Sequence, residues 1–527
     1  MKKNYAIFLL FIFLSSCQKE SSYTINSHSN DQKSREEIFF QYAVIGEKHE
    51  NPLNIKNVIS AFQQLPESTK GTFSLGDIKP THKYIAFTPS NEDEYYSLDL
   101  LDEDLVTLSL YPLDYDVTDG LIVPDERFLT NGYSYRWAYV PVDYDLRAIK
   151  CPYIYYYDIF SPAENITTKS GMSFSDNFLD SLEQKAYEIC GIELKHVIET
   201  KASKFTPYGQ ICFYDVDSLK YRGVEGLSIR AVRGTHSSYA HCDSSGNFVS
   251  NDSFRYSFRY EIHFSRTDFV IRKNSSTDEI IIKYSDYRGP IYKNLKGDEP
   301  TFYATVSRAA IAYYYGDNCG LRRPPKKSDN TARLAIQAHL TNNPNAYGYF
   351  STNNRWILSD RPIINIYRDN EVSRRNNIDI YATTIHELAH ASHWRNNQSR
   401  FTETDNAVIE SFARGVQWIL TTNAYPGYSV PFYYRQSYSG IVQDLIDGYG
   451  DKRSYHYATG VAGELESIYS YKSYYDHVTV FTPKQIEEAA RKSKTWNEWL
   501  YNITHDYPAV SPSADVSNAF SYWNSAD

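Results

Sequence analysis

At 527 residues the chain is too long for one hydrophobic core and predicts two to four domains. Its 22% charged and 42% hydrophobic residues are ordinary globular usage, and a formal net charge of −10 disfavours nucleic acid as a partner. Beyond the N-terminus no stretch reaches about 18 uninterrupted apolar residues, which excludes a spanning helix there.

Lys2 and Lys3 precede an apolar run from Tyr5 to Leu14, too short to span a membrane as a mature helix. Residues 1–16 therefore predict a targeting segment. Leu14-Ser15-Ser16-Cys17 resembles the lipobox of bacterial lipoproteins. The resemblance implies cleavage before Cys17, lipid on Cys17, and a polar tether over residues 17–36. Gln18 stands where an inner-membrane retention signal has Asp, and Gln18-Lys19-Glu20 resembles the export tag of surface lipoproteins in Bacteroidota-type bacteria. The location so implied is the outer membrane, held by lipid alone.

Residues 37–200 mix signals. Ile55 to Leu65 and Phe178 to Ile189 predict helices; Tyr84 to Phe87, Leu105 to Tyr111 and Tyr153 to Ile159 predict strands. No chemical constellation occurs here, so a mixed α/β accessory domain is expected. Residues 205–285 carry short alternating runs broken by Gly, Asn and Asp, a β-sandwich pattern. Gly223-Val224-x-Gly226-x-x-Ile229 and Asp243-x-x-Gly246-x-Phe248 resemble the carboxypeptidase-regulatory-like, prealbumin-type sandwich. His241 then reads as a surface or packing residue. Asp286 to Pro290 and Lys296 to Pro300 read as the linker into a last domain, residues 290–527. Beyond Cys17 the cysteines are Cys151, Cys190, Cys212, Cys242 and Cys319, an odd set with no C-x-x-C, so a cysteine zinc site is not expected. Cys212 with Cys242 is a candidate pair. The 49 tyrosines suit strand packing or a sugar or peptide groove.

In the last segment Val306 to Tyr315 predicts a helix and Ile363 to Tyr367 a strand. The chemistry concentrates at Thr383-Thr384-Ile385-His386-Glu387-Leu388-Ala389-His390-Ala391. Apolar Tyr381, Ala382, Ile385, Leu388 and Ala389 recur at helical spacing, with Asn377 or Asp379 available as cap. Four residues apart on a helix, His386 and His390 present two imidazoles to one point, with Glu387 beside them. Two nitrogens for zinc and a carboxylate to deprotonate metal-bound water make a hydrolase pattern. A second helix is predicted by Val408, Phe412, Val416 and Ile419, capped by Thr404 or Asp405, and Glu410 lies on it.

The spacing of Glu410 from His390 resembles the gluzincin branch of the zincin metallopeptidases, the thermolysin-like clan, over roughly residues 300–500. The resemblance implies Glu410 as third zinc ligand, Glu387 as general base, and a downstream oxyanion donor, for which His456 and Tyr457 are candidates. It also implies that the strand at Ile363 borders the cleft and pairs with substrate backbone. Arg414 stands where gluzincins often carry an Asp that orients a histidine, and it cannot accept the imidazole N–H. Bracing Glu410 or binding a substrate carboxylate is its open alternative. His393 with Asn396 fails the metzincin pattern, so His393 reads as a supporting or surface residue. Glu464 and Glu466 are reserve ligands. The expected whole is a multidomain α+β protein: mixed N-terminal domain, prealbumin-like sandwich and zincin-type catalytic domain. It would be a lipid-anchored zinc metallopeptidase acting on a protein, peptide or glycoprotein. A surface glycan- or protein-binding lipoprotein with a structural zinc is the alternative.

Overall fold

Continuously buried central strands build the first sheet, whose order is Tyr153–Ile159, His82–Phe87, Arg136–Pro141, Thr107–Ser109, all antiparallel. The computed structural model describes residues 36–38, 41–103, 105–161, 174–195, 204–274, 276–329, 333–342, 348–351, 362–369, 375–396, 398–429, 439–447, 452–458, 469–475, 477–478 and 480–524. Cys17, the targeting segment and nearly all of the tether lie outside them. The strand expected over Leu105–Tyr111 pairs only at Thr107–Ser109, because Ser109 Oγ accepts from the Tyr111 N–H at 3.3 Å and turns the chain locally. Helices Ile55–Gln64 and Asp176–Ile189 pack together through Val58, Ala61, Phe62, Phe178, Leu182 and Ala186.

Two further sheets share one core. One runs Glu36–Ile38, Ile291–Leu295, Tyr208–Asp215, Lys220–Gly223, with Asn247–Val249 also on Tyr208–Asp215. The other runs His236–His241, Ser228–Arg233, Phe258–His263, Ile281–Tyr287, Gly120–Leu121. Ile211, Phe213 and Leu295 of the first and Ile229, Tyr260 and Ile262 of the second belong to the same buried cluster. Cys212 and Cys242, the candidate pair, are both buried and are not joined in a disulfide.

The sheet that supports the candidate site has the order Phe269–Lys273, Leu334–Asn342, Ile363–Asp369, Gly348–Ser351. The first three strands are parallel and the last is antiparallel. Phe269–Lys273 comes from the segment that reads as the sandwich, so that segment lends a strand to this sheet. Helix Asp298–Tyr315 starts at Asp298 rather than Val306. Pro300 sits in its first turn, where a missing N–H breaks no helical bond, so the stretch that reads as a linker is a helix start. Helices Pro483–Arg491, Trp496–Asp506 and Ser513–Asn524 follow at the C-terminal end. Residues Glu36–Asp527 form one compact unit of mixed α+β structure. Among the described residues no helix is long and apolar enough to cross a membrane.

Candidate metal centre

Helix Asn377–Asn396 carries His386, Glu387 and His390. Its buried residues do not form a single stripe: Tyr381, Ile385, Leu388, Ala389 and Ala391 are buried, and so are both histidines and Glu387. Helices Asp298–Tyr315 and Asn406–Ala424 and strands Gly348–Ser351 and Ile363–Asp369 cover it from several sides. Neither Asn377 nor Asp379 caps it. Asn376 Oδ1 accepts the Asp379 N–H at 2.8 Å, and Asp217 Oδ2 accepts the Ile378 N–H at 2.7 Å. Asn377 is spent elsewhere, donating to Thr305 Oγ1 at 2.7 Å and tying the helix to its neighbour.

Helix Asn406–Ala424 brings Glu410 to the same point. Asp405 stands at its N-cap position without a side-chain cap bond, while the Thr404 hydroxyl donates to the Arg400 carbonyl at 2.8 Å. On this helix Gly415 allows the close approach of helix Ile441–Ile446, since a Cβ there would meet Val442 Cγ1 at 2.2 Å.

Three donor atoms converge. His386 Nε2 and His390 Nε2 lie 3.1 Å apart, and Glu410 Oε2 lies 3.0 Å from the first and 3.4 Å from the second. Donors about 2.0–2.2 Å from a tetrahedral zinc stand roughly 3.3–3.6 Å from one another, so the triangle fits that ion closely. Two facing imidazole nitrogens can share only one proton, whereas a dication satisfies all three donors together. Imidazole and carboxylate donors suit zinc better than magnesium or calcium.

Electrostatics agree with the donor set. Burial drives the His386 imidazole down to about 4, keeping it neutral with a lone pair to offer. Burial acts the same way on His390, but Glu410 outweighs it and draws that imidazole upward. Glu410 would itself be raised by burial; His390 and His386 override this and hold it well below the usual carboxylate range. Glu387 behaves oppositely. Burial, with the Glu410 charge adding, raises its carboxyl to about 7 against the pull of His390, the Phe350 backbone N–H and Arg375. A carboxylate poised near neutrality is suited to accept and return a proton.

Several supporting residues carry no local signal in the chain. Phe350, on the outer strand Gly348–Ser351, gives its N–H to Glu387 and sets its ring 6.4 Å from that of His390. The buried Arg375 donates to the Tyr367 carbonyl at 2.9 Å, to the Asp379 carbonyl at 2.6 Å and to the Thr383 hydroxyl, locking the start of the helix to the sheet. Ile363–Asp369 is paired on both sides and is therefore not the strand with an open edge; Gly348–Ser351 is outermost among the described strands. Arg414 donates to Gln417 Oε1 at 3.2 Å, and Gln417 donates to the Tyr428 hydroxyl at 2.8 Å. His393 is not on the surface. It is buried between Phe401 and Phe412, and burial pushes its imidazole down to about 3. His456 and Tyr457 lie on strand Lys452–Ala458, paired with Tyr469–Tyr475, and their side chains fall outside the described residues, as do Glu464 and Glu466. No family model matches this chain, and no curated protein matches it.

Proposed function

We propose that this chain is a zinc-dependent peptide-bond hydrolase, exported and tethered by lipid on Cys17, with zinc held by His386, His390 and Glu410. The observation that carries the reading is the triangle of donor atoms with a buried carboxylate outside the triangle, one residue from the first histidine. When bound there, zinc supplies Lewis acidity, polarising a carbonyl and lowering the pKa of water towards about 7. Glu387 takes the proton of the attacking water and hands it to the departing amine. The outer strand Gly348–Ser351 offers backbone groups to an extended peptide, an added-strand mode of binding, in the role the gluzincin resemblance implies for Ile363 to Tyr367. His456 and Tyr457 remain candidates for the oxyanion donor.

A structural zinc has no use for a base beside it, which sets this reading above a binding lipoprotein. The deciding experiment is digestion of casein or a peptide library by the wild-type chain and by Glu387→Gln. Chelator-sensitive cleavage by the first, absent from the second at unchanged zinc content, is the expected result. Equal cleavage by the variant would sink the mechanism.

A further inference from the structure

A cavity of about 310 Å³ lies between the N-terminal part of the chain and the sheet His236–His241, Ser228–Arg233, Phe258–His263, remote in sequence from the metal centre. It has room for roughly ten waters at about 30 Å³ each, the lower end of the range for small-molecule sites. Its two walls differ in chemistry. Leu98, Leu101, Val106, Leu108 and Leu110 give one side mostly hydrocarbon, with Asp99 and Glu103 among them. Arg230, His241, His263 and Arg266 make the other.

Carboxylates also reach the cavity, each within ion-pair reach of a cation, Glu279 and Asp99 sharing one. Glu279 and Asp99 hold Arg333 at 2.6 and 3.2 Å, and Glu103 holds Lys327 at 2.8 Å. Arg136 is matched by Asp278 at 2.6 Å. Arg230 and Arg266 lie on the sheet side. The single carboxylate of Glu261 faces Arg230 at 3.0 Å, Arg259 at 2.8 Å and His263 at 3.4 Å. Arg230 is 3% exposed, and its Nε is buried without a hydrogen-bond partner among the described residues. Arg266 gives one N–H to the Gly226 carbonyl at 2.6 Å and has no carboxylate within ion-pair reach among the described residues. A buried arginine with an unpartnered Nε, beside a half-buried one that has no ion-pair partner among the described residues, favours an anion, and the leucines favour methylenes.

The geometry points to a binding site here for an organic anion with one acidic head and an apolar body, a medium-chain carboxylate being the simplest member of the class. Its head meets Arg266 and Arg230, and its body lies on the leucines. The site is independent of the metal centre and of peptide hydrolysis.

Titration of the full chain with octanoate, 1-octanol and acetate, followed by calorimetry, tests this without reference to hydrolysis. Octanoate is expected to bind saturably at one site, with octanol and acetate each at least ten-fold weaker. Arg266→Gln is expected to lose at least ten-fold in octanoate affinity, while Arg147→Gln, at a side chain 91% exposed, binds as wild type. Absence of saturable octanoate binding, or octanol equal to octanoate, overturns the proposal on the wild-type protein alone. An unchanged affinity in folded Arg266→Gln overturns the placement of the head.

Discussion

Gly348 lies directly against Glu387: a Cβ added to the glycine would stand 3.2 Å from Glu387 Cγ, 2.7 Å from Thr383 Cγ2 and 3.0 Å from the Asn365 carbonyl oxygen. Only hydrogen at this position lets the outer strand approach the helix closely enough for the Phe350 N–H to reach the Glu387 carboxylate. Gly348→Ala is therefore expected to push the strand outward and misplace the base. Displacements of about 1 Å at such a group cost on the order of 100-fold in rate. The expected result is kcat/KM lowered ten- to hundred-fold with zinc content intact. Unchanged kcat/KM would show that the strand does not position Glu387.

The donor triangle makes a separate prediction about metal. His386→Ala and His390→Ala each remove a ligand from a site of three, and zinc measured by elemental analysis after dialysis is expected to fall from one equivalent to near zero. Chelation is expected to lower the melting temperature of the wild type, because an ion that binds only the folded state stabilises it by mass action. The same chelator should leave the melting temperature of His386→Ala unchanged. A variant that kept a full equivalent of zinc would refute the ligand assignment.

Gly415 and Val442 are expected to be energetically coupled. A methyl group at 415 meets Val442 Cγ1 at 2.2 Å and Cβ at 2.3 Å, inside a fully packed contact between two helices. Overpacking of this kind costs about 1–3 kcal/mol, well beyond the benefit of about 1 kcal/mol that alanine brings to a helix. Gly415→Ala is expected to lower the denaturant midpoint. Gly415→Ala with Val442→Ala is expected to recover part of the loss, giving a non-additive cycle. Simple additivity would place the clash elsewhere.

Acid stability is expected to depend on Glu279. Burial pushes its carboxyl upward, but Arg333, His263 and Arg136 outweigh this and bring it from 4.5 down to about 2. A carboxylate depressed by folding stabilises the protein fully above its ordinary range, and that stability is lost as pH falls from about 4.5 towards 2. The contribution is on the order of 3 kcal/mol. Glu279→Gln is expected to be less stable at neutral pH and to show a shallower decline through the acid window. Parallel pH curves for the two proteins would rule the pairing out as the source.

Local patterns made part of this architecture legible. The spacing of His386 and His390 and the helical run around Glu410 announce two helices whose faces carry donors, and the structure brings those donors to one point. Ile55 and Phe178 mark helices whose burial follows their period, whereas Tyr84 and Tyr153 mark strands by aromatic and β-branched content, since their burial does not alternate. What could not be read depends on partners distant in sequence. The cap from Asp217, the outermost position of Gly348–Ser351 and the parallel pairing of Phe269–Lys273 with Leu334–Asn342 are tertiary choices with no local signature. His241 reads as a surface or packing residue and is exposed, with Ser228 beside it.

The loan of Phe269–Lys273 has a practical consequence for dissecting the molecule. A recombinant fragment starting near residue 290 would keep every proposed zinc donor yet strip Leu334–Asn342 of its parallel neighbour, leaving a raw row of amides and carbonyls beside Ile336 and Ala338. Such a fragment is expected to seek another strand to pair with and precipitate, so the C-terminal half is no autonomous unit to be cloned away from what precedes it.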